Sequence, residues 1–172
     1  MNGEIEFSEA LDKRLKIINI NEENIFQTID VIKTKISDTF IKNIDFIKNN
    51  RNNIYIVSGG FHEFIRPVAD ILGIKSNHIF ANSFIKKKYH YELNKDNVMA
   101  HNNGKINVVK NLNLNGKIVV IGDGYTDYEI KKYGYADIFI AYTEHVDRKK
   151  VSKSADYITN SFDQAIKYLN NL

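Results

Sequence analysis

The sequence predicts an α/β fold, a parallel sheet with helices on both faces, preceded by an N-terminal helical segment. Three observations predict it. Up to about residue 50 apolar residues recur every three or four positions, the period of amphipathic helices. From Asn53 onward, short β-branched runs alternate with helical patterns, which implies parallel strands joined by crossovers. Two of those runs stop at glycines, at Gly59 and Gly60 and again at Gly122 and Gly124. A continuous apolar run ended by glycine reads as a strand buried on both faces, opening at the rim where such folds place ligands.

Taken in order, Ser8 precedes Leu11, Leu15 and Ile18 at helical spacing, so a first helix is expected over residues 8–19. Asn21 is a natural cap for a second, with Ile25, Ile29, Ile32 and Ile36 as its stripe. A third, after Ser37, carries Phe40, Ile44 and Ile47 and ends in the polar cluster 49–53. Residues 54–57 read as a strand, followed by a glycine turn and a helix to Leu72, where Pro67 predicts a break or a kink. Residues 79–84 read as the next strand, with 89–93 as a hairpin arm, and residues 94–103 as loop. A helix then starts at Gly104 and Lys105. The central strand, 118–121, leads to a helix over 125–133. A strand at 136–141, a basic helix near 147–153, a small strand at 156–158 and a helix over 162–169 complete the chain. Residues 1–50 are thus expected to form a helical cap segment and 51–172 an α/β core.

At 172 residues and 43% hydrophobic content the chain can bury a proper core. It has no cysteine, which excludes disulfides, thiolate metal sites and a cysteine nucleophile, and suits a reducing cytoplasm. No basic stretch leads into an apolar one at the N-terminus and no apolar run reaches spanning length, so neither secretion nor a membrane partner is expected. The net charge of +3 is mild. Its local runs at 86–88 and 148–150 read as solvated faces rather than a nucleic-acid footprint.

The chemistry-bearing residues sit at the strand ends. Asp123 and Asp127 stand four apart across a turn into a helix, an arrangement open to two readings: oxygen ligands for Mg²⁺, or an ordinary Asp-Gly turn with a carboxylate in the first helical turn. Ser58, Gly59 and Gly60 likewise fit either an amide nest for phosphate or a tight turn. Lys105 is a cation near a helix N-terminus, the wrong end for its charge unless an anion lies nearby. A serine and glycine nest, a lysine and paired carboxylates at one rim spell phosphate plus Mg²⁺, hence phosphoryl transfer.

These residues also resemble a known family. VSGGF at residues 57–61, Lys105, and GDGYTD at 122–127 look like the second, third and fourth motifs of the haloacid dehalogenase superfamily. The similarity is strongest to its phosphoserine phosphatase branch, where an Ala-Asn pair, here Ala81 and Asn82, accompanies them, and MNGEIEFSEALDKRL looks like the start of that branch's cap. The resemblance implies a Rossmannoid sheet, phosphate binding by Ser58, Gly59 and Gly60, neutralisation by Lys105, Mg²⁺ on Asp123 and support for the metal from Asp127. It implies that Phe7 and Arg14 cover the substrate, the arginine gripping its carboxylate.

One departure matters. The family's first motif, a central strand ending in DxDx(T/V) whose first aspartate is the nucleophile, has no counterpart in these residues. Asp38, Asp45 and Asp70 lie in helical patterns and are no substitute. The expectation is therefore a phosphomonoesterase for a small phosphorylated acid that is inactive as this chain alone, or a non-catalytic module binding a phosphorylated ligand or partner chain. A sheet lacking its central strand is a reason to self-associate or to accept a segment from elsewhere.

Overall fold

A computed structural model describes residues 6–18 and 20–172. It has the mixed α/β architecture the sequence predicts, in two compact units, Phe7–Gly104 and a second built on Lys105–Leu172.

The first unit opens with α1 (Phe7–Leu15) and α2 (Glu22–Lys33). Helix α1 stops short of the expected end, because Ile17 and Ile18 turn to three-residue bonds on Arg14 and Leu15; Asn19 lies outside the described residues. Asn21 caps α2 as its residue type dictates, its Oδ1 accepting from the Asn24 amide at 2.9 Å. The expected third helix is two, α3 (Asp38–Lys42) and α4 (Ile44–Asn49). Asn43 separates them with φ −104° and ψ 24°, and its side-chain amide donates to the Thr39 carbonyl at 2.8 Å. A short polar side chain that bonds nearby backbone competes with the helix in this way.

Strands β1 (Ile56–Phe61) and β2 (Ile79–Asn82) run parallel, joined by α5 (His62–Leu72), on which α2 packs. The expected boundary after residue 50 therefore falls inside this unit. Helix α5 continues through Pro67 as one element and closes on Gly73, whose φ of 75° suits a residue without Cβ. Strand β1 starts later than expected and runs through Ser58, Gly59 and Gly60, so these residues form an irregular strand end instead of a turn after the strand. The expected strand over 79–84 breaks at Ser83: β3 (Phe84–Lys86) pairs instead with β4 (Tyr91–Leu93) as the antiparallel hairpin arm. Phe61 stacks on Phe84 with centroids 3.9 Å apart.

In the second unit α6 (Gly104–Asn111) precedes β5 (Val119–Gly122), α7 (Tyr125–Lys132), β6 (Ile138–Tyr142), α8 (Lys149–Ser152), β7 (Tyr157–Thr159) and α9 (Phe162–Leu169). The three strands are parallel in the order β5-β6-β7. Burial on both faces was expected of β5; it belongs to β6, whose Phe139, Ile140 and Ala141 are fully buried while every residue of β5 is half-buried. The reason is order in the sheet, since β5 is an edge strand and β6 is flanked on both sides. Phe139, Ala141 and Val151 form a core against Val120, Tyr125, Tyr128 and Ala155. The single sheet that was expected is two among the described residues: β1 pairs only with β2, and β5 only with β6. No helix among them is long and apolar enough to cross a membrane.

Carboxylates set the register of the second sheet. Asp137 Oδ2 accepts from the Ile118 amide at 2.7 Å, and Asp156 Oδ2 from the Phe139 amide at 2.7 Å while its other oxygen pairs with Lys131. Burial pushes the Asp156 carboxyl up, but the Lys131 ammonium and the Phe139 amide outweigh it and hold it below the ordinary value. A carboxyl depressed in the folded state stabilises above its unfolded value and loses that contribution as pH falls through the folded one. Asp156→Asn is therefore expected to cost about 1 kcal/mol at pH 7, a gap that closes below about pH 4. Urea denaturation at pH 7 and pH 3 checks this, and an equal gap at both would refute it.

Candidate functional site

At the end of β1 the ladder is interrupted. Ser58 pairs with Ala81 and Phe61 with Asn82, so Gly59 and Gly60 are inserted with no counterparts on β2. Such a bulge leaves backbone groups without ladder partners. Here side chains take them: Ser58 Oγ accepts from the Gly60 amide at 3.1 Å, and Asn82 Nδ2 donates to the Gly59 carbonyl at 2.9 Å. A serine oxygen that accepts one bond still has its own proton to donate. Gly59 is glycine for room. A Cβ there would lie 2.8 Å from the ring of Phe7, which covers the bulge.

The structure thus brings Phe7, Ser58, Gly59 and Gly60 together. It leaves Arg14 exposed on α1, without a hydrogen bond or ion pair from its guanidinium among the described residues.

The second unit places Lys105 in the first turn of α6 and Asp127 in the first turn of α7. Their side chains meet at 2.6 Å with only 15% and 12% exposure. The anion that the awkward position of Lys105 calls for is therefore Asp127. The other oxygen of Asp127 accepts from the Gly124 amide at 3.0 Å, closing the turn as a helix cap. Gly122 makes this possible, since a Cβ at that position would lie 2.4 Å from Asp127 Cγ.

Asp123 is different. Its side chain is 50% exposed and pairs with Arg148, whose guanidinium also donates to the Asp123 carbonyl at 3.1 Å. The basic run at 148–150 was read as solvated face. For Arg148, 19% exposed, that is corrected: the run lies where β6 returns to α8, and Arg148 folds back on the β5 turn. Asp123 offers hard oxygen donors to a dication. Among the described residues no three acidic or histidine side chains gather into a cage. That donor set fits Mg²⁺, which rests on one or two carboxylates and keeps its waters.

Sequence reasoning read Gly122 only as the stop of a strand and part of a motif, Arg148 only as part of a solvated run, and Asn82 only as part of a resemblance. All three act through partners distant in sequence or by leaving room, which periodicity does not reveal.

The haloacid dehalogenase-like hydrolase profile matches residues 1–130. The chain belongs to that family. Within the haloacid dehalogenase-like hydrolases it is 30% identical to the chloroplastic phosphoserine phosphatase of Arabidopsis thaliana over 98% of its own length and 59% of the plant protein's. It thus spans less than two thirds of that relative. A phosphoserine phosphohydrolase-like protein from Francisella tularensis superposes with a TM-score of 0.86 at 32% identity, over 97% of this chain and 79% of that one. A phospho-aspartyl intermediate analogue of phosphoserine phosphatase shares the fold, with a TM-score of 0.66 at 21% identity, over 96% of this chain and 79% of that one.

Gly122→Ala is expected to drive Asp127 off its two donors and to destabilise the fold by about 3 kcal/mol, the cost of stripping a mostly buried charge of its partner. In an Asp127→Ala background the same substitution should cost far less. Denaturant titration of the four proteins in the cycle checks this, and additive costs would contradict it.

Proposed function

We propose that this chain carries the phosphate-binding and metal-binding residues of a Mg²⁺-dependent phosphomonoester hydrolase of the phosphoserine phosphatase type. The supporting observation is the 2.6 Å contact of Lys105 with Asp127, which joins a lysine and a carboxylate from separate motifs at the turn that carries half-exposed Asp123. Ser58, with Gly59 and Gly60, binds the phosphoryl oxygens, the serine donating its hydroxyl proton. Lys105 neutralises phosphate charge. Asp123 holds Mg²⁺, and Asp127 orients Lys105 and the metal's waters. Bound Mg²⁺ would supply a Lewis acid that stabilises charge on the transferring phosphoryl group. Phe7 and Arg14 close over the substrate, a small phosphorylated acid such as phosphoserine, with the guanidinium free to take its carboxylate.

The nucleophile is an aspartate outside these 172 residues. Its carboxylate oxygen attacks phosphorus, the ester P–O bond breaks, and the leaving alkoxide takes a proton from a second carboxyl; water then hydrolyses the aspartyl-phosphate. Asp38, Asp45 and Asp70 are exposed on helices and offer no replacement. Among the described residues β1 and β5 each have one edge with no strand paired to it, where a strand bearing the nucleophile could add. Those same edges favour a second reading, a non-catalytic module that binds a phosphorylated ligand and a partner strand.

With Mg²⁺ and phosphoserine the purified chain is expected to release phosphate at no more than background rate. Co-expression with a strand carrying DxDx(T/V) should raise release by at least 10³-fold, the scale lost with a nucleophile, and a strand with asparagine in the first position should not. Turnover by the chain alone would refute the missing-nucleophile account. No gain with a bound strand would favour the non-catalytic module.

A further inference from the structure

Asn82 is fully buried, at 0% exposure, yet only half satisfied: Nδ2 donates to the Gly59 carbonyl at 2.9 Å, while Oδ1 has no hydrogen-bond partner. Keeping an amide in such a place is unfavourable for stability, because a buried acceptor has given up water without return. An apolar side chain of the same shape would pack there with no such loss. The amide lies opposite the bulge, where β1 carries two residues that β2 does not match. It bonds the one carbonyl of that insertion on which the direction of the next peptide depends.

The strand carrying Asn82 is itself anchored on either side. Asn97 Nδ2 donates to the Ala81 carbonyl at 2.8 Å and to Ser83 Oγ at 3.2 Å, and Asn94 Nδ2 reaches the same hydroxyl at 3.3 Å. An immobile amide is thus presented to a segment that has no ladder of its own. The N–H of the peptide that Asn82 bonds, on Gly60, donates to Ser58 Oγ, so the Gly59–Gly60 peptide is held at both its carbonyl and its amide.

We propose that Asn82 is a positioning residue for anion binding: by fixing the Gly59–Gly60 peptide, whose N–H holds Ser58 Oγ, it aims the Ser58 hydroxyl proton at an incoming phosphate. This rests on the phosphate-binding reading of Ser58 given above. Asn82 touches no substrate and acts only through the bulge.

The test uses the full chain with Mg²⁺ and inorganic phosphate as the probe. Asn82→Leu keeps the γ-branched skeleton of the side chain and removes the amide. It is expected to accelerate amide exchange over residues 58–61 at least tenfold and to weaken the phosphate Kd at least tenfold, while the urea midpoint stays level or rises. Should the leucine disturb folding, Asn82→Ser, too short to reach Gly59, gives the same two readouts. Ser58→Ala serves as the control for the phosphate reading. Unchanged exchange in the Asn82 variants would overturn the proposal, as would faster exchange with unchanged phosphate affinity where Ser58→Ala weakens it. Failure of the unsubstituted chain to bind phosphate, or binding indifferent to Ser58→Ala, would remove the phosphate reading and leave Asn82 a structural clamp, which also overturns it.

Discussion

Where a parallel strand leaves its ladder, its backbone groups lose their partners, and in each unit the strand end depends on side chains that replace them. At the end of β1 the replacements are Ser58 Oγ for the Gly60 amide and Asn82 Nδ2 for the Gly59 carbonyl. At the end of β5 the replacement is Asp127 Oδ2 for the Gly124 amide. The glycines are the other side of the same constraint. Gly59 lies under a ring, and Gly122 lies under the carboxylate that caps the turn. At Gly122 the small residue and the polar residue are therefore one solution, since a Cβ there would push away the carboxylate that completes the turn's hydrogen bonding.

The two acidic residues of the β5 turn look alike in sequence and differ in environment. Asp127 and Lys105 are both mostly buried, so their attraction is little screened and neither charge can be left alone without a large cost. Asp123 is half in water, and its arginine partner competes with solvent and with any cation that arrives. Burial thus separates the two carboxylates: the Lys105–Asp127 pair is held mostly out of water, and Asp123 keeps half of its side chain in it. Arg148 sits on that half-exposed group through one of its oxygens.

What the sequence made legible was local. Asn21 as a cap, the hairpin of β3 and β4 and the span of α9 follow from residues within a few positions of one another. The break at Asn43 follows from one side chain bonding four residues back, a competition with the helix that an apolar stripe through Phe40, Ile44 and Ile47 conceals. The apolar run of β5 looked doubly buried because run length reports hydrophobicity and not neighbours; its place at the edge of its sheet decides the burial. Asp127 was visible as a carboxylate at the right spacing, but its partner Lys105 is 22 positions away, and Arg148 lies 25 from Asp123. Asn82 bonds a carbonyl 23 positions back, a contact that needs the register of β1 and β2 before it can be drawn.

The same reasoning about unpaired backbone bears on the sheet edges. Strand β1 satisfies one edge with β2 and β5 one edge with β6, and among the described residues neither has a strand on its other side. The four residues of β5 are valine, valine, isoleucine and glycine, all half-buried, a run with neither the charges nor the proline by which natural edge strands discourage pairing. Compare β7, whose three residues end the same sheet on its opposite edge: it is short, and α9 follows at once and packs on it. One edge of this sheet is finished and the other is built like an interior strand. Such a composition leaves the main chain of β5, on the side where no described residue pairs with it, able to accept a further strand in the same hydrogen-bonding terms that hold β5 to β6.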